Sequence, residues 1–250
     1  VEESWHTFRV RCEGLQIQVW LDDQPIVDFE DKSEHPRTEG RIGLQMNAGR
    51  IAFRNVYLRP VGEQVLFDGS ELKGWSVVPG SEGEFVVQDG CIHVTGGRGF
   101  LETSDDFADF VLHAEVKTNG TALNSGIFFR TIPGTKDAPS NGYEMQIQNG
   151  VTENDRKRPA DTGTGGIFRR QPARLVVSND HEWTTMTLIA QGNQIATWVN
   201  GYQVVDWVDD RAPHENPREG LRLAAGRISL QAHDPTTDLD FRQLRIHPLP

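Results

Sequence analysis

The chain carries one strand-rich segment twice. Its opening stretch WHTFRVRCEGLQIQVWLDDQPIVDF lies over WTTMTLIAQGNQIATWVNGYQVVDW near the end without a gap. The overlay pairs Trp5 with Trp183, Gly14 with Gly192, Trp20 with Trp198, Asp28 with Asp206 and Phe29 with Trp207 at one constant offset. Further on, GRIGLQMN from Gly40 lies over GRISLQAH from Gly226, and AFRNVYL from Ala52 over DFRQLRI from Asp240. Whatever the block folds into is built twice, which constrains the fold more than any single motif does. Within the block, alternation at Gln16–Trp20 and Gln194–Trp198, followed by LDDQ and VNGY, reads as strand, tight turn, strand.

The two copies are unequal. Pro60-Val61-Gly62-Glu63 reads as a linker, and after it come LFDGSELKGW and the strand-like runs EFVVQ, CIHVTG, FVLHAEVKT, NSGIFFR, GYEMQIQ and GGIFRR. No stretch has a helical period of useful length. Short strands punctuated by 25 Gly and 13 Pro predict an all-β sandwich or jelly roll over residues 64–250. Residues 1–60 then hold only the C-terminal strands of another copy. Unpaired strands invite aggregation, so a neighbouring domain, a second chain or the complete domain is expected to cover them.

A net charge of -11 argues against nucleic acid or an anionic membrane as partner. No apolar run approaches the roughly 20 residues of a membrane span. The start lacks Met and a basic-then-apolar leader, as expected of a processed or internal segment. Cys12 and Cys91 make neither a disulfide framework nor a metal-ligand spacing. Nucleophile elbows, phosphate loops and zinc motifs are missing, and GTGG at Gly163 is not followed by a helix pattern.

Alternation along the strands sorts side chains into two sets. Tyr143, Met145 and Ile147 oppose Glu144, Gln146 and Gln148; Ser125, Ile127 and Phe129 oppose Asn124, Phe128 and Arg130. Leu112, Ala114 and Val116 oppose His113, Glu115 and Lys117, while Ile228, Leu230 and Ala232 oppose Ser229, Gln231 and His233. With the apolar sets as core, one polar face is expected to carry Glu115, Asn124, Arg130, Glu144, Gln146, Gln148, Gln231 and His233. Phe128 and Trp198 would be its flat apolar surfaces. Side-chain amides and Arg suit vicinal hydroxyls, and aromatic planes suit sugar rings. The pattern suggests carbohydrate.

The ordered motifs LFDGSELKGW, HAEVKT, NSGIFFR, GYEMQIQN, TGTGGIF, EWTTMTLIAQGNQIATWVNG and GRISLQAHD…DFRQLRI resemble the 3-keto-disaccharide hydrolase-like family. The resemblance covers about residues 64–250 and the domain's tail again at 1–60. It implies a concanavalin A-like jelly roll, a secreted or periplasmic bacterial location, and action on glycosides oxidised at the 3-position. Two positions depart from the family pattern: Gln148-Asn149 where an acidic residue is common, and Asp234, with an inserted turn, where Gly is common. In the first copy Asn47 takes the place of His233, and nothing matches Glu115, Arg130 or Glu144.

A ketone at C3 acidifies the C2 hydrogen, so a base, a donor for the enolate oxygen and an acid for the leaving oxygen suffice for cleavage. The candidate base is Glu144 or His233, with Arg130 at the enolate and Glu115 assisting protonation. Asn124, Phe128, Gln146, Gln148, Trp198 and Gln231 are candidate substrate contacts. No cofactor is expected, although a divalent metal held by His233 and Glu144 could replace Arg130. The rival readings are a non-catalytic, lectin-like carbohydrate-binding module and a structural interaction domain of a larger protein.

Overall fold

The computed structural model describes residues 4–137 and 141–250. It divides into two compact units, Val1–Val61 and Gly62–Pro250.

The first unit is a three-stranded antiparallel meander of β1 (Phe8–Glu13), β2 (Gln16–Leu21) and β3 (Gln24–Glu30). Its turn has positive φ at both Asp22 and Asp23, the backbone a tight hairpin of this hand requires. The Asp22 carboxylate also accepts from the Thr7 amide at 2.8 Å.

The second unit holds β4 (Gln64–Val65), β5 (Trp75–Val77), β6 (Glu84–Gln88), β7 (Cys91–Thr95), β8 (Gly99–Thr103), β9 (Phe110–Thr118), β10 (Ser125–Thr131) and β11 (Tyr143–Ile147). After these come β12 (Thr184–Gln191), β13 (Gln194–Val199), β14 (Tyr202–Val208), β15 (Arg227–Ala232) and β16 (Asp238–Pro248). They form a jelly-roll β-sandwich. One sheet has five strands in the order β11-β10-β15-β8-β5. The other has eight, ordered β14-β13-β12-β9-β16-β7-β6 with β4 on β16.

Leu112, Ala114, Val116, Leu188 and Phe241 of the larger sheet pack against Leu101, Ile127, Phe129, Met145 and Leu230 of the smaller. Every core side expected from alternation in β9, β10 up to Phe129, β11 and β15 is found. Each large apolar side chain so buried contributes about 1.5–3 kcal/mol before ordering costs.

The repeat is visible at atomic detail. β2 and β3 have the same bounds as β13 and β14 at the sequence offset, and a register shift falls at Val19/Trp20 in one and Thr197/Trp198 in the other. Thr185 N–H donates to the Asn200 side chain as Thr7 does to Asp22. Past residue 31 the likeness stops. The stretches from Gly40 and Ala52 form no strand, whereas their counterparts are β15 and β16. In the second unit those strands are flanked by β8 and β10, and by β7 and β9, whereas the described residues of the first unit form only β1–β3.

Candidate functional site

Because Tyr143, Met145 and Ile147 face the core, Glu144 and Gln146 lie on the other side of β11. β10 sets Phe128 opposite Glu144 and Gly126 opposite Gln146, and β15 sets Ser229 opposite Phe128. Gln231 pairs with Phe100 of β8, with His233 just beyond the strand. Asn124 joins this face by accepting from Gln146 Nε2 at 3.0 Å. Gly126 leaves room for the Glu144 side chain, since a Cβ would come within 2.7 Å of its Oε1 and displace it.

Loops roof much of this face. Glu144 is 4% exposed, and burial pushes its carboxyl above the ordinary range. Arg218, from the loop after β14, opposes that rise with Nη2 at 2.9 Å from Oε2. Its guanidinium also lies 4.9 Å from the Phe128 ring centre and 5.3 Å from that of Phe168. Asp161, bonded to Gln146 Nε2, raises Glu144 further, and His233 is near enough to lower it.

His233 Nδ1 is 2.8 Å from Asp234 Oδ2. A carboxylate only accepts, so Nδ1 carries the hydrogen and Nε2 keeps its lone pair for other work. Asp234 is itself held by the Thr236 hydroxyl and amide, and these bonds with His233 push its carboxyl down to about 2. The Asp234 departure is thus an orienting partner for His233. Three buried polar atoms on this face have no partner among the described residues: Gln146 Oε1, Gln231 Oε1 and Ser229 Oγ.

Several expected members are elsewhere. Arg130 has positive φ and sits where the β10–β15 register shifts, so alternation breaks after Phe129. Its buried guanidinium binds Asp109 and the carbonyls of Ala108, Gly192 and Arg222, a structural set. Glu115 is on β9 of the other sheet, where it faces away from the core and accepts from Arg242. Trp198 is on β13 of that same sheet, between Thr187 and Gln203. Neither can meet Glu144.

Phe128 does share the Glu144 face but is fully buried, covered by Phe100 and Arg218, and offers no open plane to a sugar. Gln148 spends its amide on Ala122 O and the Gly150 amide. Asn149 ties Asp180, Thr164 and Ser178 together. Both departures at 148 and 149 therefore hold loops. Arg218 and Asp161 lie in irregular segments, where no period marks which face a side chain joins.

As to the divalent metal, Arg218 already pairs with Glu144, His233 has only Nε2 to offer, and no three His, Cys, Asp or Glu side chains gather as a ligand set among the described residues.

A family model described as the 3-keto-alpha-glucoside-1,2-lyase-like domain matches residues 1–59 and again 62–247. The chain belongs to this family. No curated protein matches it. Among solved structures it is similar to presumed glycosyl hydrolases from Parabacteroides distasonis ATCC 8503. One shares 20% identity over 76% of this chain and 94% of its own, with a TM-score of 0.62. Another shares 24% identity over 75% of this chain and 99% of its own, with a TM-score of 0.57. These likenesses show a shared fold. Within the lyase-like family, the second match spans the whole sandwich, including Glu144, Arg218 and His233.

Proposed function

We propose that the sandwich of residues 62–250 cleaves glycosides oxidised at C3, by elimination across C1–C2 followed by addition of water. The observation that carries this reading is the buried Glu144 carboxyl, ion-paired to Arg218 and within electrostatic reach of His233 on one sheet face. The unpartnered oxygens of Gln146, Gln231 and Ser229 on the same face suit a polyhydroxylated ligand.

His233 Nε2, aligned by Asp234, takes the C2 proton. The electron pair moves onto the C3 oxygen, where Arg218 supplies positive charge. The enolate then expels the C1 oxygen, which leaves as an alcohol with a proton from Glu144. Burial favours the protonated form that such an acid needs. Water adds to C1 of the enone and C2 regains a proton, giving the free 3-keto sugar. Arg218 and Glu144 thereby take the parts that the sequence alone assigned to Arg130 and Glu115.

The test compares a 3-keto-disaccharide with a 3-keto-glucoside bearing a nitrophenyl leaving group. Glu144→Gln is expected to cost about 10²–10⁴-fold in kcat on the disaccharide. On the nitrophenyl substrate, which leaves without a proton, the loss is expected to shrink to within about tenfold. His233→Gln is expected to slow both alike. Binding of the disaccharide without turnover would sink the catalytic reading and leave a sugar-binding module.

A further inference from the structure

Beside His233, the second unit has a cavity of about 270 Å³. Its wall includes Gln231 and His233 of the candidate site, together with Phe100, whose ring is 5.2 Å from that of Phe128. The cavity thus adjoins the candidate face at Gln231 and His233. Two cations also line it: Arg98 from the turn before β8, and Lys136 from the segment after β10. Both are exposed, and among the described residues neither has an ion-pair partner.

Of the acidic groups nearby, Glu82 and Asp137 adjoin the lining residues Ser81 and Lys136 in sequence, and two others are engaged. Glu102 is held by Arg227 and the Gly134 amide, and Asp234 by His233 and Thr236. Two unpaired cations at one cavity are notable in a chain of net charge -11, whose overall field repels anions. Gln231 Oε1, buried at this wall without a partner, adds an acceptor for a ligand hydroxyl.

We propose that this cavity is a subsite for an anionic sugar, so that the preferred glycoside carries a carboxylate or sulfate on the ring next to the reacting one. The proposal rests on the reading of the Glu144–His233 face as a glycoside site. Arg98 and Lys136 bracket the anionic group, Gln231 takes a hydroxyl, and the reacting ring lies toward His233. The cations are exposed, so the gain is moderate and salt-dependent.

Calorimetric titration of the full chain with a glucuronyl-glucose disaccharide, a 6-sulfated glucosyl-glucose and neutral cellobiose at low salt tests it. At least one anionic disaccharide is expected to bind about tenfold more tightly than cellobiose, and the comparison of the two tells carboxylate from sulfate. The preference is expected to disappear in an Arg98→Gln/Lys136→Gln double variant and to shrink in 0.5 M salt, conditions set by screening over about one Debye length. Equal affinities, no binding of either anion, or a preference that survives the double variant would each overturn the subsite. Turnover of a neutral 3-keto-disaccharide, alike in native and double-variant protein, upholds the catalytic reading even when the anion preference is absent.

Discussion

At the scale of single residues, two arginines have opposite kinds of work. Arg130 is buried with its donors distributed over one carboxylate and three carbonyls; Arg218 reaches Glu144 from a loop and stays partly exposed. Removing Arg130 leaves Asp109 and those carbonyls without their cation, so Arg130→Ala is expected to cost about 3–5 kcal/mol in urea unfolding. Arg218→Ala leaves the buried Glu144 carboxyl unpaired and is expected to cost about 1–3 kcal/mol, less than Arg130→Ala, while lowering kcat/KM about 10²-fold. The reverse ranking would return Arg130 to the chemistry. Asp234 sets a pH dependence. Its carboxyl is lowered from 3.8 to about 2, so the folded state favours the ionised form. The resulting stabilisation is complete above the unfolded value near 3.8 and fades as pH falls toward 2. Native protein is therefore expected to be more stable than Asp234→Asn at pH 5, with the gap closing by pH 2 in paired acid-unfolding curves.

At the scale of elements, strand alternation told which way a side chain points relative to its own sheet, and little more. It placed Tyr143, Met145, Ile147, Leu112 and Leu230 in the core correctly, and so put Glu144, Gln146, Gln231 and His233 outside. It could not say which of two sheets a strand joins, because strand order is a matter of long-range pairing. Glu115 and Trp198 point away from the core as expected, but on the opposite outer face. Arg130 fails for a local reason, since a bulge shifts the period by one. That bulge depends on Gly226, where an added Cβ would sit 2.3 Å from Thr131 O and 2.5 Å from the Arg130 carbonyl carbon. Both are backbone atoms and cannot turn aside. Gly226→Ala is expected to destabilise the fold by about 1–3 kcal/mol and to disturb Arg130 rather than Glu144, which chemical-shift changes near Asp109 and Gly192 would register.

At the scale of the whole molecule, the repeat separates what a segment specifies by itself from what its neighbours impose. The meander β1–β3 keeps the strand order, register shift and turn of β12–β14, with β2 and β3 keeping the bounds of β13 and β14, because hairpin turns and adjacent pairing are local in sequence. The stretches matching β15 and β16 do not become strands, and Ile42, Leu44, Tyr57 and Leu58 stay exposed. A strand whose partners come from distant sequence has nothing to pair with until they arrive. Shortening the second unit to residues 183–250 removes the partners of β15 and β16, so its amides at 227–232 and 238–248 are expected to lose protection while the β12–β14 turns persist. Conversely, placing a copy of residues 64–182 ahead of the first unit supplies the missing neighbours, and amides at 42–46 and 52–58 are expected to become protected in hydrogen exchange. Protection of those amides in the native chain alone would mean that the segments form strands unaided. Protection only after the addition would show that the two copies share one folding code and differ in whether its distant half is present.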